Sequence, residues 1–164
     1  MSKAYELATV LGGGTLVTDT ELSTALAGVG GGGKVLQVIN TSSSFDTTST
    51  SDEELYSATI TPTSTTSKIL ILFSCAVQLD NGEYAKLSIH RGDLATGSNV
   101  YTLEDVGFNG TSGANRYQVS GQFLDSPATT AAQQYSIIGN NRYGASTRYG
   151  AGAHNPITLI EIAA

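Results

Sequence analysis

The stretch with the most recognisable chemical spacing is "GVGGGGKV", residues 28–35. A phosphate-binding loop reads G-x-x-x-x-G-K-[ST], and Gly28, Gly33 and Lys34 match that spacing. Val35 stands where the loop needs a hydroxyl for Mg²⁺. The order of elements is also inverted, because a phosphate loop follows a strand and opens a helix, whereas these glycines follow a helix-like segment and precede a strand-like one. We therefore interpret them as a flexible hinge and expect no nucleotide or other cofactor.

Side chains that titrate or bind metals are few and scattered. His90 and His154 lie far apart in the sequence, outside any metal-binding motif, and are expected at the surface. Asp52, Glu53 and Glu54 are consecutive carboxylates that could bind a cation, but a solvated charge run is the favoured interpretation. A glycosidase pair of distant carboxylates remains an alternative. We expect no catalytic residues and no metal site, and hence no enzyme.

Two further features have simple structural interpretations. The tripeptide Arg91–Asp93 matches a cell-adhesion motif, but it stands where a strand should end in a turn. The single cysteine, Cys75, lies in the apolar run "KILILFSCAVQL" and cannot form an internal disulfide. We predict a turn for the first and a buried thiol for the second.

The most informative polar stretch is "GNNRYGASTRYGAGAHNP", residues 139–156, which repeats Arg-Tyr-Gly. An Arg-Tyr pair also occurs in Asn115–Tyr117. Arg and Tyr dominate binding hot spots, because each combines a large contact area with directional hydrogen bonding. The candidate contact residues are Arg116, Tyr117, Arg142, Tyr143, Arg148 and Tyr149. Residues 139–155 are predicted to form one long loop, and recognition of an outside partner and contact between subunits are equally favoured.

The composition of the chain limits the kinds of partner that it can bind. The chain has 164 residues, of which 40% are hydrophobic and 13% charged, with a net charge of -6. An acidic chain lacks the excess of cations that nucleic acid requires. No apolar run reaches the length of about 18 residues needed to span a bilayer, so we expect no membrane insertion.

The N-terminal residues 1–33 carry helical signals. Thr18 and Glu21 form a capping box at the start of "TDTELSTALAG", and a second short helix is predicted in "SKAYELATVL". Such short helices need a partner surface. We interpret residues 1–33 as an anchoring arm with the glycine hinge, whose contact residues are Tyr5, Leu7, Leu22 and Leu26.

From residue 34 onward the hydrophobic period changes to two. At least seven strands are predicted, in the stretches "KVLQVI", "ELYSATI", "KILILFSCAVQL", "EYAKLSIHR", "YQVSGQFLD", "QQYSIIG" and "PITLIEI". The longest is expected to be buried on much of both faces. The stretch "NTSSSFDTTSTSDEE" is expected to form a long loop or a polar edge strand. Strands and helices do not alternate, so residues 34–164 are predicted to form an all-β head, an antiparallel β-sandwich of jelly-roll type.

Several stretches together resemble a family. "ATITPTSTTSKILILFS", "LSIHRGD", "GQFLDSPATTAAQQYSI" and "ITLIEIA", in this order, resemble a small β-sandwich domain of tail-fibre proteins from tailed bacteriophages. The N-terminal "MSKAYELA" resembles the "SKARDLA" start of such proteins, with Tyr5 and Glu6 in place of Arg and Asp.

The resemblance implies a virion structural protein without enzymatic activity. It further implies a homotrimer with a jelly-roll-like head. The layout of arm, hinge and head leads us to expect that the arm contacts other virion proteins of the tail or capsid and that the head faces a host surface glycan or protein. It leaves open whether the protein is a short fibre on the tail or a capsid-decorating cement protein that stabilises the phage head. A glycan-active enzyme on a β scaffold is the remaining alternative.

Overall fold

The computed structural model describes residues 33–48, 51–80, 84–106, 110, 113–141, 147–150 and 152–164. Every helix or strand element in these ranges is a strand, which confirms the all-β prediction for the head. The strands are β1 Val35–Ser44, β2 Thr47–Thr48, β3 Glu53–Ile60, β4 Lys68–Leu79, β5 Ala85–Arg91, β6 Ser98–Val106, β7 Asn115–Asp125, β8 Gln133–Asn141, β9 Arg148–Tyr149 and β10 His154–Ile162. The described residues therefore contain no helix that could span a membrane. The anchoring arm, with Tyr5, Leu7, Leu22 and Leu26, lies outside the described residues, so the division at residue 33 stays a prediction.

The strands form two antiparallel sheets. Sheet 1 contains β1, β10, β4 and β7 in spatial order. Two short strands extend it: β9 pairs with β4 beyond the end of β10, and β2 pairs with β9. Sheet 2 has the order β3, β8, β5 and β6. Numbered along the chain, the eight long strands give the orders 1-8-3-6 and 2-7-4-5, which is the strand order of a jelly roll. The predicted fold class is confirmed by this topology.

The period-two pattern determines which side chains face the interior. Along β4 every second residue from Ile69 to Leu79 is buried, and the residues between them are partly exposed. Lys68, the first residue of the strand, is exposed. β10 alternates in the same way, with Ile157 and Leu159 fully buried. Two sheets with one apolar face each must pack face to face, because burial of these side chains drives the fold.

Aromatic pairs lie at both margins of the core. The rings of Tyr101 and Phe123 stack with centroids 5.5 Å apart, joining β6 to β7. Phe45 and Tyr56 join the opposite margin, with centroids 5.6 Å apart. The interior between them is filled by aliphatic and tyrosine side chains, among which Tyr135, Leu87, Ile89 and Ile137 are fully buried.

Three sequence expectations need correction. Residues 139–155 are not one loop, since β8 continues to Asn141, β9 lies within the stretch and β10 begins at His154. The strand β4 is fully buried on its inward face alone, because no element of the described residues packs flat on its other face. The strand β6 was not predicted at all. The polar stretch after residue 40 does form part of an edge strand, since β1 reaches Ser44.

Candidate contact surface

The central strand β4 brings two of the predicted Arg-Tyr pairs together. Gln78 pairs with Arg116 of β7 on one side and with Arg148 of β9 on the other. Val77 in the same way lies between Tyr117 and Tyr149. Because side chains alternate along a strand, the two arginines point outward and the two tyrosines point towards the core.

The two arginines form the polar end of the outer face of sheet 1. Arg116 is exposed, and its Nε donates to Oε1 of Gln78 at 3.0 Å. Arg148 donates from Nε and Nη2 to the two carboxylate oxygens of Asp46. The hydrogen bonds from Arg148, together with the positive charges of Arg148 and Arg116, lower the pKa of Asp46. The guanidinium of Arg148 is thus already paired, and such exposed pairs add little to stability because water and salt screen them.

The tyrosines differ from the prediction. Tyr149 has no exposed surface, and its hydroxyl donates to the backbone oxygen of Lys86 at 3.2 Å. Its ring lies between the sheets, where a Cβ on Gly139 would come within 3.0 Å of it. A side chain without exposed surface cannot contact a receptor or another subunit, so Tyr149 is a core residue. Tyr117 is partly buried against the same core.

The β9–β10 junction is held by the side chain of Asn155. Its Oδ1 accepts from the backbone N–H of Ala76 at 2.8 Å, while the carbonyl of Ala76 accepts from Gly150 N at the same distance. Its Nδ2 donates to the carbonyls of Ala153 at 2.7 Å and Ser43 at 3.3 Å. Asn155 is fully buried, so its amide replaces strand hydrogen bonds where β9 and β10 separate. Sequence reasoning treated this residue as part of a loop.

Gly150 explains how the chain makes this turn. Its φ of +81° is disfavoured for residues with a Cβ, and a Cβ there would collide with the backbone oxygen and ring of Phe45. The turn places Arg148 and Tyr149 beside β4 before the chain continues into β10. The position of Arg148 beside Gln78 therefore depends on Gly150 and Asn155.

The remaining predicted contact residues, Arg142 and Tyr143, lie outside the described residues. They belong to the segment that joins β8 to β9 in the sequence. Whether they extend the surface formed by Arg116 and Arg148 stays a prediction.

The Arg91–Asp93 tripeptide ends β5 and leads into a turn, as predicted. Arg91 Nε donates to the buried carboxylate of Asp125 at 2.7 Å, and the hydroxyl of Tyr135 donates to the same carboxylate at 2.7 Å. Asp93 accepts hydrogen bonds from the backbone and hydroxyl of Thr96. Gly92 supplies the φ of +97° that the turn needs. Both charged side chains of the motif thus stabilise the local structure.

Glu53 and Glu54, two of the consecutive carboxylates considered as a cation site, bind different hydrogen-bond donors. The carboxylate of Glu53 accepts from the hydroxyl of Thr47, whereas Glu54 accepts from Leu94 N and from Gln134. Within the described residues no three metal-ligating side chains form a cluster.

The structure also shows how exposed the two histidines and the cysteine are. His154 is exposed, as expected, but His90 is only partly exposed, and its Nδ1 is buried without a hydrogen-bond partner among the described residues. Cys75 is buried as predicted, and burial raises the pKa of its thiol to about 12.

Comparisons with known proteins find structural likeness alone. No protein-family model matches the chain. No curated protein matches it either. The VP2 subviral particle of infectious bursal disease virus is similar over 78% of this chain, with 14% identity and a TM-score of 0.46. The Gx strain of the same virus is similar over 80% of this chain, with 14% identity and a TM-score of 0.42. The chain spans 38% and 37% of those two chains.

Proposed function

We propose that this chain is a non-enzymatic structural protein of a tailed-phage virion. It is a short homotrimeric fibre that is attached through residues 1–33 and displays the β head towards the host. The sequence resemblance supports this proposal. The jelly-roll strand order is compatible with it, since viral capsid domains use that fold. Lectins and cupins share the same fold, so the fold alone is an analogy.

The observation that carries the proposal is how the sandwich is filled. Its interior is occupied by the head's own side chains, such as Ile71, Leu87 and Ile137, all fully buried. A packed interior directs partner contacts to the outer surfaces. The outer face of sheet 1 carries Arg116 and Arg148 at one end and exposed apolar side chains at the other. A head with a packed interior and extended outer faces suits display and assembly better than turnover of a small substrate.

The proposed host contact lies at the end of sheet 1 that carries Arg116 and Arg148. Guanidinium groups bind carboxylates and phosphates through paired hydrogen bonds, as Arg148 already does with Asp46. Arg116, in contrast, donates to an uncharged amide, that of Gln78. An acidic group on a host surface glycan or protein is therefore the chemistry that this end would recognise.

Imaging of intact virions tests the proposal. Particles labelled with an antibody raised against the head are examined by electron microscopy. Label at the tail supports a fibre, and label distributed over the capsid supports the cement-protein alternative. Purified virions that carry no label contradict both. Release of reducing sugar ends from host glycans by the purified protein would instead favour the glycan-active alternative.

A further inference from the structure

The outer face of sheet 1 carries an apolar row that crosses the whole sheet. Val38 pairs with Ile160, Ile160 with Leu70, and Leu70 with Leu124. These pairs join β1, β10, β4 and β7, so the four side chains lie side by side on the face away from the core. Val38 is 55% exposed and Leu124 is 47% exposed. Apolar side chains aligned across four strands form a continuous surface, unlike apolar residues scattered singly over a protein.

Apart from Lys68, the neighbouring outward residues are uncharged, and several are already hydrogen-bonded to one another. Asn40 Nδ2 donates to Thr158 Oγ1 at 2.6 Å. The hydroxyl of Ser74 lies 3.0 Å from that of Ser120 and accepts from Gln118 Nε2 at 2.6 Å. Covering polar groups that keep such partners costs less free energy than covering unpaired ones.

Charge is confined to the ends of this face. Lys68 lies at one end, and Arg116 and Arg148 lie at the other. The outward positions of β1, β4, β7 and β10 hold no carboxylate, although the chain has 14 acidic residues. Interface centres are depleted of charged residues in the same way. Copies of an acidic chain could therefore associate through this face without its adding carboxylates to the contact.

The size and chemistry of the face favour a second copy as its occupant. Four strands of about ten residues present a face of about 33 Å by about 19 Å, or roughly 600 Å². A standard protein interface buries about 800 Å² on each partner, so this face is of comparable size. The outward positions of the four strands carry no Phe, Tyr or Trp ring on which a sugar could stack. Of their cations, Lys68 is next to Leu70 on β4, and Arg116 is at the other end of the face.

We propose that the row formed by Val38, Ile160, Leu70 and Leu124 is the centre of the surface through which copies of this chain associate. The inference rests on the proposed function, because it names the contact face of the assembly proposed there. Leu72, in the next row of β4, extends the contact. The same arrangement leaves Arg116 at the opposite end of the sheet, outside the centre of the contact.

Charge substitution in the full-length chain tests the proposal. Leu124→Glu and Val38→Glu each place a carboxylate on an exposed position of the row. Thr59→Glu is the matched control, since it adds the same charge at an exposed position of β3 in sheet 2. Circular dichroism and thermal melts establish that each variant folds, and light scattering with sedimentation measures association. We expect each row variant to weaken association at least tenfold and the control to leave it unchanged.

Two results would overturn the proposal, and they differ in meaning. If the unmodified chain is monomeric at micromolar concentration, the homotrimer of the proposed function fails along with this contact face. If the unmodified chain associates and both row variants associate equally well, the face is wrong and the proposed function stands. Virion labelling of the unmodified protein is independent of both results.

Discussion

The ring of Tyr149 lies against the backbone of Gly139 on the opposite sheet. A Cβ at residue 139 would come within 3.0 Å of two ring atoms of Tyr149 and 2.9 Å of Cδ1 of Leu55. Real Cβ atoms essentially never come as close as 2.9 Å to a neighbour, and 3.0 Å is tighter than most Cβ contacts. The glycine in β8 is therefore what allows the sandwich to close over a tyrosine at this point.

Gly139→Ala should destabilise the head by about 1–3 kcal/mol, because the added methyl group overpacks the core. Chemical denaturation measures the change. Leu55→Ala removes the nearest obstacle, so Gly139→Ala should cost less in that background than alone. Equal costs in the two backgrounds would mean that Leu55 does not limit the space at residue 139.

Replacement of Tyr149 should destabilise the head much more than replacement of its neighbour Arg148. Tyr149→Ala should cost about 3–5 kcal/mol, since a large buried side chain is lost. Arg148→Ala should change the stability little, because its ion pair with Asp46 is exposed. Thermal melts distinguish the two. A stable Tyr149→Ala variant would contradict the burial of this ring.

Replacement of Arg116 and Arg148 tests the proposed host contact. Replacing both by Ala should leave the melting temperature almost unchanged and should reduce adsorption of labelled head to host cells. Gln118→Ala, on the same exposed face of β7, is the control. Unchanged adsorption of the double variant would exclude this end of sheet 1 as the host contact.

The period-two pattern predicted seven long strands, but it failed where the pattern is short or interrupted. β9 has two residues, so no alternation could show that Arg148 points outward and Tyr149 inward. β6 is an edge strand whose pairing with β5 shifts register twice, between Ala85 and Leu87 and between Ile89 and His90. Such shifts break the alternation that sequence reasoning depends on.

The candidate surface was harder to predict than the fold, because it depends on pairing between distant segments. The Arg-Tyr composition identified Arg116 and Arg148 as contact residues, but their shared neighbour Gln78 became evident only from the register of β4 with β7 and β9. The apolar row has the same origin, since its four residues come from four separate strands. Nothing in the sequence indicated the bridging role of Asn155, because that role depends on the gap between β9 and β10.

Asn155 should not tolerate replacement by Asp. The carboxylate would still accept from Ala76 N–H, but it would face the carbonyls of Ser43 and Ala153 with no donor. Asn155→Asp should therefore cost about 2 kcal/mol or more at neutral pH, since the buried carbonyls lose their partner. Part of this loss should be recovered towards pH 4, where the protonated acid regains a donor.

Denaturation at both pH values checks this expectation. Asn40→Asp is the matched control on an exposed position of β1, and it should change stability little. Equal stability of the Asn155→Asp variant and the unmodified chain would contradict the bridging role of the Asn155 amide.

Glu161 should make the stability of the head depend on pH in the acid range. Its side chain is buried on the inward face of β10 and accepts hydrogen bonds from Gln37 Nε2 at 2.6 Å and from the N–H and hydroxyl of Thr63 at 2.7 and 2.8 Å. Burial raises the pKa of the carboxyl, but the hydrogen bonds that the carboxylate accepts, among them those from Gln37 and Thr63, outweigh it and lower the pKa from 4.5 to about 2. Folding therefore favours the charged form.

A lowered pKa in the folded state gives stability that is present above the unfolded value and is lost as the pH falls through the folded value. The contribution of Glu161 should thus be complete above about pH 5 and should disappear towards pH 2. Glu161→Gln should cost about 1–3 kcal/mol at pH 7, because its amide group would oppose existing donors. The difference between the unmodified chain and this variant should shrink as the pH falls from 5 to 2. Glu104→Gln, at an exposed position of β6, is the control, and a Glu161→Gln effect that stays constant from pH 7 to pH 2 would contradict the lowered pKa.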